Sequence, residues 1–185
     1  MASTPSTMLP LGTVLPEFTL PNAVDGRPVS SRSLEGKRGV LVMFICNHCP
    51  YVIHIRSKLV ELAHRALEQG IAVVAINANS EKTHPQDGPG AMQQLATSEQ
   101  WRFPFLFDQS QAVARAFAAA CTPDLFLFDA GHQLVYRGQF DDARPSKPVP
   151  VTGKDLQAAI DAVLAGKAPS PEQIPSIGCN IKWHP

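Results

Sequence analysis

Apolar positions fall into short runs separated by polar stretches rich in Pro, Gly and Ser. Val40-Leu-Val-Met-Phe-Ile45 is apolar and partly β-branched, and it reads as a buried strand ending at Cys46. Beyond it, Ile53, Leu59, Val60, Ala63 and Leu67 have the spacing of an amphipathic helix running to about Gln69. Gly70 supplies its C-terminal stop, and Pro50 falls in its first turn, where a missing N–H costs little. Ile71 to Ile76 is a second apolar strand, and strand–helix–strand over this span predicts a parallel βαβ unit.

The flanking segments follow the same logic. Glu17–Leu20 and Arg27–Val29 bracket the turn Asp25-Gly26, which predicts an N-terminal β-hairpin. Ser33-Leu-Glu-Gly36 reads as another turn. Residues 79 to 90 form a polar loop, Ala91 to Gln100 look helical, and Phe103 to Phe107 form a short strand. An alanine-rich helix is predicted from about Ser110 to Ala119. Asp124–Asp129 and Gln133–Arg137 alternate across Ala130-Gly131-His132 as a hairpin does. After a Pro-rich loop, a last helix runs from about Gly153 to Ala165, with Thr152 and Asp155 approximating a capping box. The expected organisation is a flexible arm over residues 1–10, one domain over 11–166, and a tail over 167–185 that packs on it. The fold class is α/β, a central mixed sheet flanked by helices.

Composition narrows the partners. Sixteen basic and sixteen acidic residues cancel and no basic stripe is present, so nucleic acid is not expected to bind. No apolar run reaches the length of a membrane span, and the N-terminus lacks a basic stretch followed by an apolar one. The expected compartment is therefore the cytoplasm. Four cysteines are too few for a secreted disulfide scaffold, and in a reducing compartment a Cys-x-x-Cys is redox-active or metal-binding. No phosphate-cradling loop and no flavin or nicotinamide signature is present, so no cofactor is expected.

The chemistry concentrates at Cys46-Asn-His-Cys49, where strand hands over to helix. Unsatisfied N–H groups and the helix dipole favour negative charge there, so Cys46 is expected to ionise readily and to act as nucleophile. Cys49, one turn on, is the expected resolving thiol. His48 between them is expected to tune the pair as a cation, giving a more oxidising couple. Cys121 and Cys179 are candidates for additional redox thiols, against a packed Cys121 and an incidental tail thiol. Structural zinc sites show two close-spaced ligand pairs and this chain has one, so no metal is expected. His54, His64 and His84 read as surface residues, and Asp141, Asp142 and Arg144 as a self-paired turn.

Three stretches carry a resemblance: Phe44 to Val52, Tyr136 to Pro145, and Ile177 to Trp183. With Thr122-Pro123 before an apolar strand, they resemble the peroxiredoxin-like (AhpC/TSA-related, redoxin) group of the thioredoxin fold. The resemblance implies an N-terminal hairpin, a C-terminal extension, and a cis Pro123 that brings the backbone of Thr122 toward the dithiol. It implies a thiol-disulfide oxidoreductase with an antioxidant role, acting on protein or low-molecular-weight disulfide or peroxide substrates. An external thiol reductant, such as a thioredoxin or glutathione system, would serve it, and a homodimer is compatible with it. True peroxiredoxins carry Pro-x-x-x-Thr-x-x-Cys, and their peroxidatic position corresponds to Cys49. Here Cys46 stands where that Thr would be, with no Pro upstream. The implied alternatives are a thiol peroxidase using Cys49 and a non-catalytic binding protein.

Overall fold

The computed structural model describes residues 3–34 and 37–185. In chain order its elements are β1 (Thr4–Pro5), β2 (Thr19–Pro21), β3 (Pro28–Ser30), β4 (Gly39–Phe44), α1 (Pro50–Glu68) and β5 (Ile71–Asn77). There follow α2 (Pro89–Ser98), β6 (Phe105–Phe107), α3 (Ala112–Ala116), β7 (Cys121–Thr122), β8 (Asp124–Asp129), β9 (Leu134–Tyr136), α4 (Lys154–Leu164) and β10 (Ile177–Asn180).

Five strands form the central sheet in the order β6-β5-β4-β8-β9. β4 pairs parallel with β5 and antiparallel with β8, and β5 pairs parallel with β6. Every residue of β4 is buried, because both faces of the sheet are covered. Its side chains alternate between two cores. Leu41 and Met43 pack with Leu59 and Leu62 of α1, Met92 of α2 and Ile160 of α4. Val40, Val42 and Phe44 face the other way, toward Phe18 and Phe117. Phe117 meets Phe44, Phe126 and Phe128 edge-on at centroid distances of 5.3, 5.4 and 6.0 Å. Such pairs add about 0.5–1.5 kcal/mol each beyond area burial.

That aromatic hub explains one departure from the pattern. The predicted ten-residue helix from Ser110 is five residues long, since Gln111 (φ +62°) and Ala118 (φ +48°) leave the helical region on either side. The two breaks turn Phe117 into the core, where tertiary packing overrides alanine propensity. At the start of α4, Thr152 Oγ1 accepts Lys154 N–H at 3.3 Å and Phe140 O accepts those of Asp155 and Leu156. The turn over Asp141–Arg144 is self-paired, with Arg144 donating to Asp141 O at 2.7 Å, but Asp141 is wholly buried and also accepts the N–H groups of Thr152 and Gly153 at 2.6 and 2.7 Å.

The termini differ most from expectation. Residues 3–10 do not form a loose arm: Thr4 and Pro5 pair antiparallel with Gly178 and Ile177, and Ser6 N–H donates to Ser176 O at 2.8 Å. β10 lies between β1 and β7, with Cys179 opposite Thr122 and Asn180 opposite Cys121. A three-stranded sheet outside the main one is thus built from segments that carry no periodicity of their own. Met1, Ala2 and the Glu35-Gly36 part of the predicted turn lie outside the described residues. Among the described residues no helix is long and apolar enough to cross a membrane.

Candidate active site

After β4, Ile45 N–H still donates to Ile76 O at 3.0 Å, and the chain then turns through Cys46-Asn47-His48. Cys49 is the N-cap residue of α1, in extended conformation, with Pro50 opening the helix. Both sulfurs are buried. They are held from across the gap by one residue: Cys46 Sγ lies 3.5 Å from Thr122 Oγ1, and Cys49 Sγ donates to Thr122 O at 3.1 Å. The Thr122–Pro123 bond is cis.

A buried carboxylate fixes the turn from the other side. Asp87 closes a short 3₁₀ turn over Pro85–Asp87, anchored where Asn77 Nδ2 donates to its carbonyl at 2.7 Å. Its Oδ1 accepts the N–H groups of Asn47 and His48 at 2.9 and 3.3 Å. Its Oδ2 accepts Asn79 Nδ2 at 2.8 Å and bonds His48 Nδ1 at 2.5 Å. His48 Nδ1 is also 3.8 Å from Cys46 Sγ. Because that nitrogen donates its proton to Asp87, it is not free to take one from Cys46. The ring of His84 stacks on His48 at 5.0 Å, so His84 is part of the site rather than an unrelated surface residue.

The surroundings push the two thiols in opposite directions. Cys49 is lowered to about 4, by the hydrogen bond it receives from the Cys46 thiol, by the Thr122 hydroxyl, by Cys179, and by the Val52 N–H at the start of α1. The Cys46 thiol is pushed up: it gives its hydrogen bond to Cys49, it is buried, and the Asp87 carboxylate stands beside it. The helix start therefore acts on the second cysteine of the pair, not the first, as the N-cap position dictates. The two thiols titrate as a pair, and Cys49, whose thiol donates to Thr122 O when protonated, is the member held lower.

The remaining thiols are close by. Cys179 packs in one buried cluster with Cys46 and Cys49, and burial raises it to about 12. Cys121 donates to Pro123 O at 3.5 Å, and burial and Asp124 push it up. His64 lies apart, accepting Arg102 N–H at 3.2 Å. Arg144 lines a small cleft with Tyr51, Ile55, Pro123, Phe140 and Ile177.

Cys46, His48 and Asp87 bring a sulfur, a nitrogen and an oxygen within 4.8 Å of one another. Such a set suits a borderline-soft divalent ion. Here, however, both carboxylate oxygens are already satisfied by N–H donors. Asp87, Asn79 and His84 escaped the sequence reading. Their one signal is that the polar loop over 79–90 is longer than a simple connection requires.

The redoxin family model matches residues 10–156, most of the chain and all of the dithiol site. The chain belongs to the redoxin family. Two solved structures resemble this redoxin over nearly their whole lengths. An uncharacterized conserved protein from Geobacillus kaustophilus is 45% identical, with 100% of this chain and 98% of that one covered and a TM-score of 0.97. A hypothetical protein from Sinorhizobium meliloti 1021 is 46% identical, with 98% of each chain covered and a TM-score of 0.95. A thioredoxin family thiol:disulfide interchange protein from Chlorobium tepidum TLS shares the fold at 20% identity and TM-score 0.63, with 83% and 97% covered. No curated protein matches this redoxin. Its architecture is the thioredoxin fold.

Proposed function

We propose that this redoxin is a thiol-disulfide oxidoreductase that cycles a Cys46–Cys49 disulfide against protein or small-molecule thiols. The observation that carries the reading is the single residue Thr122 holding both sulfurs, with Cys49 as the more acidic partner. A low-pKa thiol leaves readily from a disulfide. A substrate thiolate therefore attacks Cys46 Sγ, the S–S bond breaks, and its electron pair goes to Cys49. A second substrate thiol then attacks the substrate sulfur of the mixed disulfide. Cys46 leaves as a thiolate and takes up the proton given up by the second substrate thiol. Two electrons and one proton stay on the enzyme, the other proton goes to solvent, and the stabilised Cys49 thiolate makes the couple oxidising. In the reverse direction Cys46 attacks and Cys49 resolves. Reoxidation or reduction falls to an external disulfide, peroxide-derived sulfenic acid or thiol system, and the working compartment is the cytoplasm. His48 and Asp87 position the turn that carries Cys46.

Turbidity of insulin under a thiol reductant tests this. Cys46→Ser and Cys49→Ser each reduce the rate about 100-fold or more, to the uncatalysed background. A Cys46→Ser enzyme at full rate removes the reading.

One observation favours a second reading, peroxide reduction at Cys49: this sulfur, at the position of the peroxidatic cysteine, is the acidic one. Stopped-flow peroxide consumption separates the two. Fast oxidation of Cys49 in the Cys46→Ser protein selects peroxidase chemistry, and slow oxidation selects exchange.

A further inference from the structure

β10 brings a third sulfur to the site. Its pairing with β7 sets Cys179 directly opposite Thr122, the residue whose carbonyl accepts the Cys49 thiol. The approach is unusually close: a Cβ added at Gly178 would lie 1.9 Å from Thr122 O, so only glycine admits β10 at this depth. α1 packs on β10, and Cys46, Cys49 and Cys179 share one buried cluster. β1 clamps β10 from its other edge through Thr4 and Pro5. A thiol held between two strands and aimed at a redox pair is positioned for exchange with it. Cys121 is placed differently, since its thiol turns away to Pro123 O.

We propose that Cys179 is a third redox thiol of this redoxin, able to take Cys49 into an alternative disulfide and release Cys46. The step is an internal exchange. The Cys179 sulfur, as thiolate, attacks Cys49 Sγ in the Cys46–Cys49 disulfide; that bond breaks and the Cys49–Cys179 bond forms. Its electron pair leaves on Cys46, which takes up the proton Cys179 gave away. No net electrons move. The outcome is a protein still oxidised by one disulfide, with β10 tied to the start of α1 and Cys46 free to attack a substrate. Only the starting disulfide rests on the exchange reading above.

Peptide mapping tests it. Trypsin cuts the chain so that Cys46 and Cys49 share residues 39–56, Cys179 lies in 168–182, and Cys121 lies in 116–137. Native Cys46→Ser and Cys46→Ala proteins are treated with diamide, which takes two electrons and two protons from a thiol pair. Free thiols are then alkylated. Most chains are expected to show 39–56 joined to 168–182, and the Cys49→Ser protein at least tenfold less of that species. Peptide 39–56 joined to 116–137 instead, or Cys179 fully alkylated in both Cys46 variants, overturns the assignment. Thermal melts identify folded variants, and two substitutions at position 46 guard against loss of one. Insulin reduction is scored separately, so a redoxin inactive on insulin but bridged at Cys49–Cys179 loses only the exchange reading.

Discussion

The carboxylate of Asp87, fully shielded from solvent, grips the ring of His48 at 2.5 Å and the backbone N–H of the same residue at 3.3 Å. This double hold aligns the turn between the two cysteines, and it also sets a negative charge beside Cys46. The charge penalises the Cys46 thiolate. Asp87→Asn keeps the side-chain shape and removes the charge. In a Cys49→Ser background, where one thiol of the pair is followed, iodoacetamide at pH 7 is expected to label Cys46 about tenfold faster. That corresponds to roughly 1.4 kcal/mol of relieved repulsion. Unchanged or slower labelling means that Asp87 acts on Cys46 by geometry alone.

The acidity of Cys49 is the quantity most open to direct measurement. Thiolate absorbance near 240 nm is expected to step up at about pH 4 in the reduced protein. Removing the Cys46 thiol, the largest cause of that shift, is expected to move the step toward higher pH in Cys46→Ala. The sign for stability follows. A depressed thiol pKa favours the folded reduced protein above the unfolded thiol value near 9, and this contribution is lost as pH falls toward 4. A wild-type step near 9 would leave Cys49 an ordinary thiol.

The centre of the molecule was legible in the sequence because local signals and tertiary demand agree there. β4 is apolar on both faces and becomes the middle strand, and α1 repeats its apolar residues at helical spacing between Pro50 and Gly70. Where pairing depends on distant partners, the pattern is silent. Ile177–Asn180 and Thr4–Pro5 are too short to show alternation, and each becomes a strand only because the other and β7 are there. The dithiol could be found by spacing, since Cys-x-x-Cys is contiguous. Asp87 lies 39 residues beyond His48 in an irregular loop, and no periodicity links the two. Which sulfur the helix serves turns on a local detail: the N-cap falls on Cys49, and the Val52 N–H lowers that sulfur.

Asp124 opens β8 with its carboxylate buried. Its Oδ2 accepts Ala120 N–H at 3.2 Å, while its Oδ1 has no partner among the described residues. Burial raises it to about 6 against an ordinary 3.8. The folded state therefore binds its proton more tightly than the unfolded state. The associated stability is fully present below pH 4 and is lost as pH rises through about 6. Two pH units correspond to about 3 kcal/mol at most. Urea denaturation of wild type and Asp124→Asn from pH 4 to 7.5 isolates the effect. The wild-type unfolding free energy is expected to fall by up to that amount relative to the variant, and parallel pH curves would show that the carboxyl titrates normally.

Gly178 is where the terminal strand meets the site, and its lack of a side chain is what permits the contact. A methyl group there would collide with Thr122 O at 1.9 Å and Thr122 C at 2.6 Å, both backbone atoms that cannot rotate aside. Gly178→Ala must separate β10 from β7. Overpacking of this kind costs about 1–3 kcal/mol, and a backbone collision belongs at the upper end. Two effects should appear together: a lower melting temperature, and faster exchange of the amides in β10 and β1, which lose their shared support. The consequence for the site runs through Thr122. Once β10 no longer braces it, the carbonyl and hydroxyl that hold Cys49 and Cys46 are less firmly placed. The Cys46–Cys49 exchange rate in Gly178→Ala is therefore expected to fall several-fold, although no sulfur has been altered. Measured alongside Cys179→Ser, which keeps the strand and removes its thiol, the two variants divide the tail's mechanical role from its chemical one. A Gly178→Ala protein with wild-type melting and wild-type exchange would mean that β10 does not support Thr122 at all.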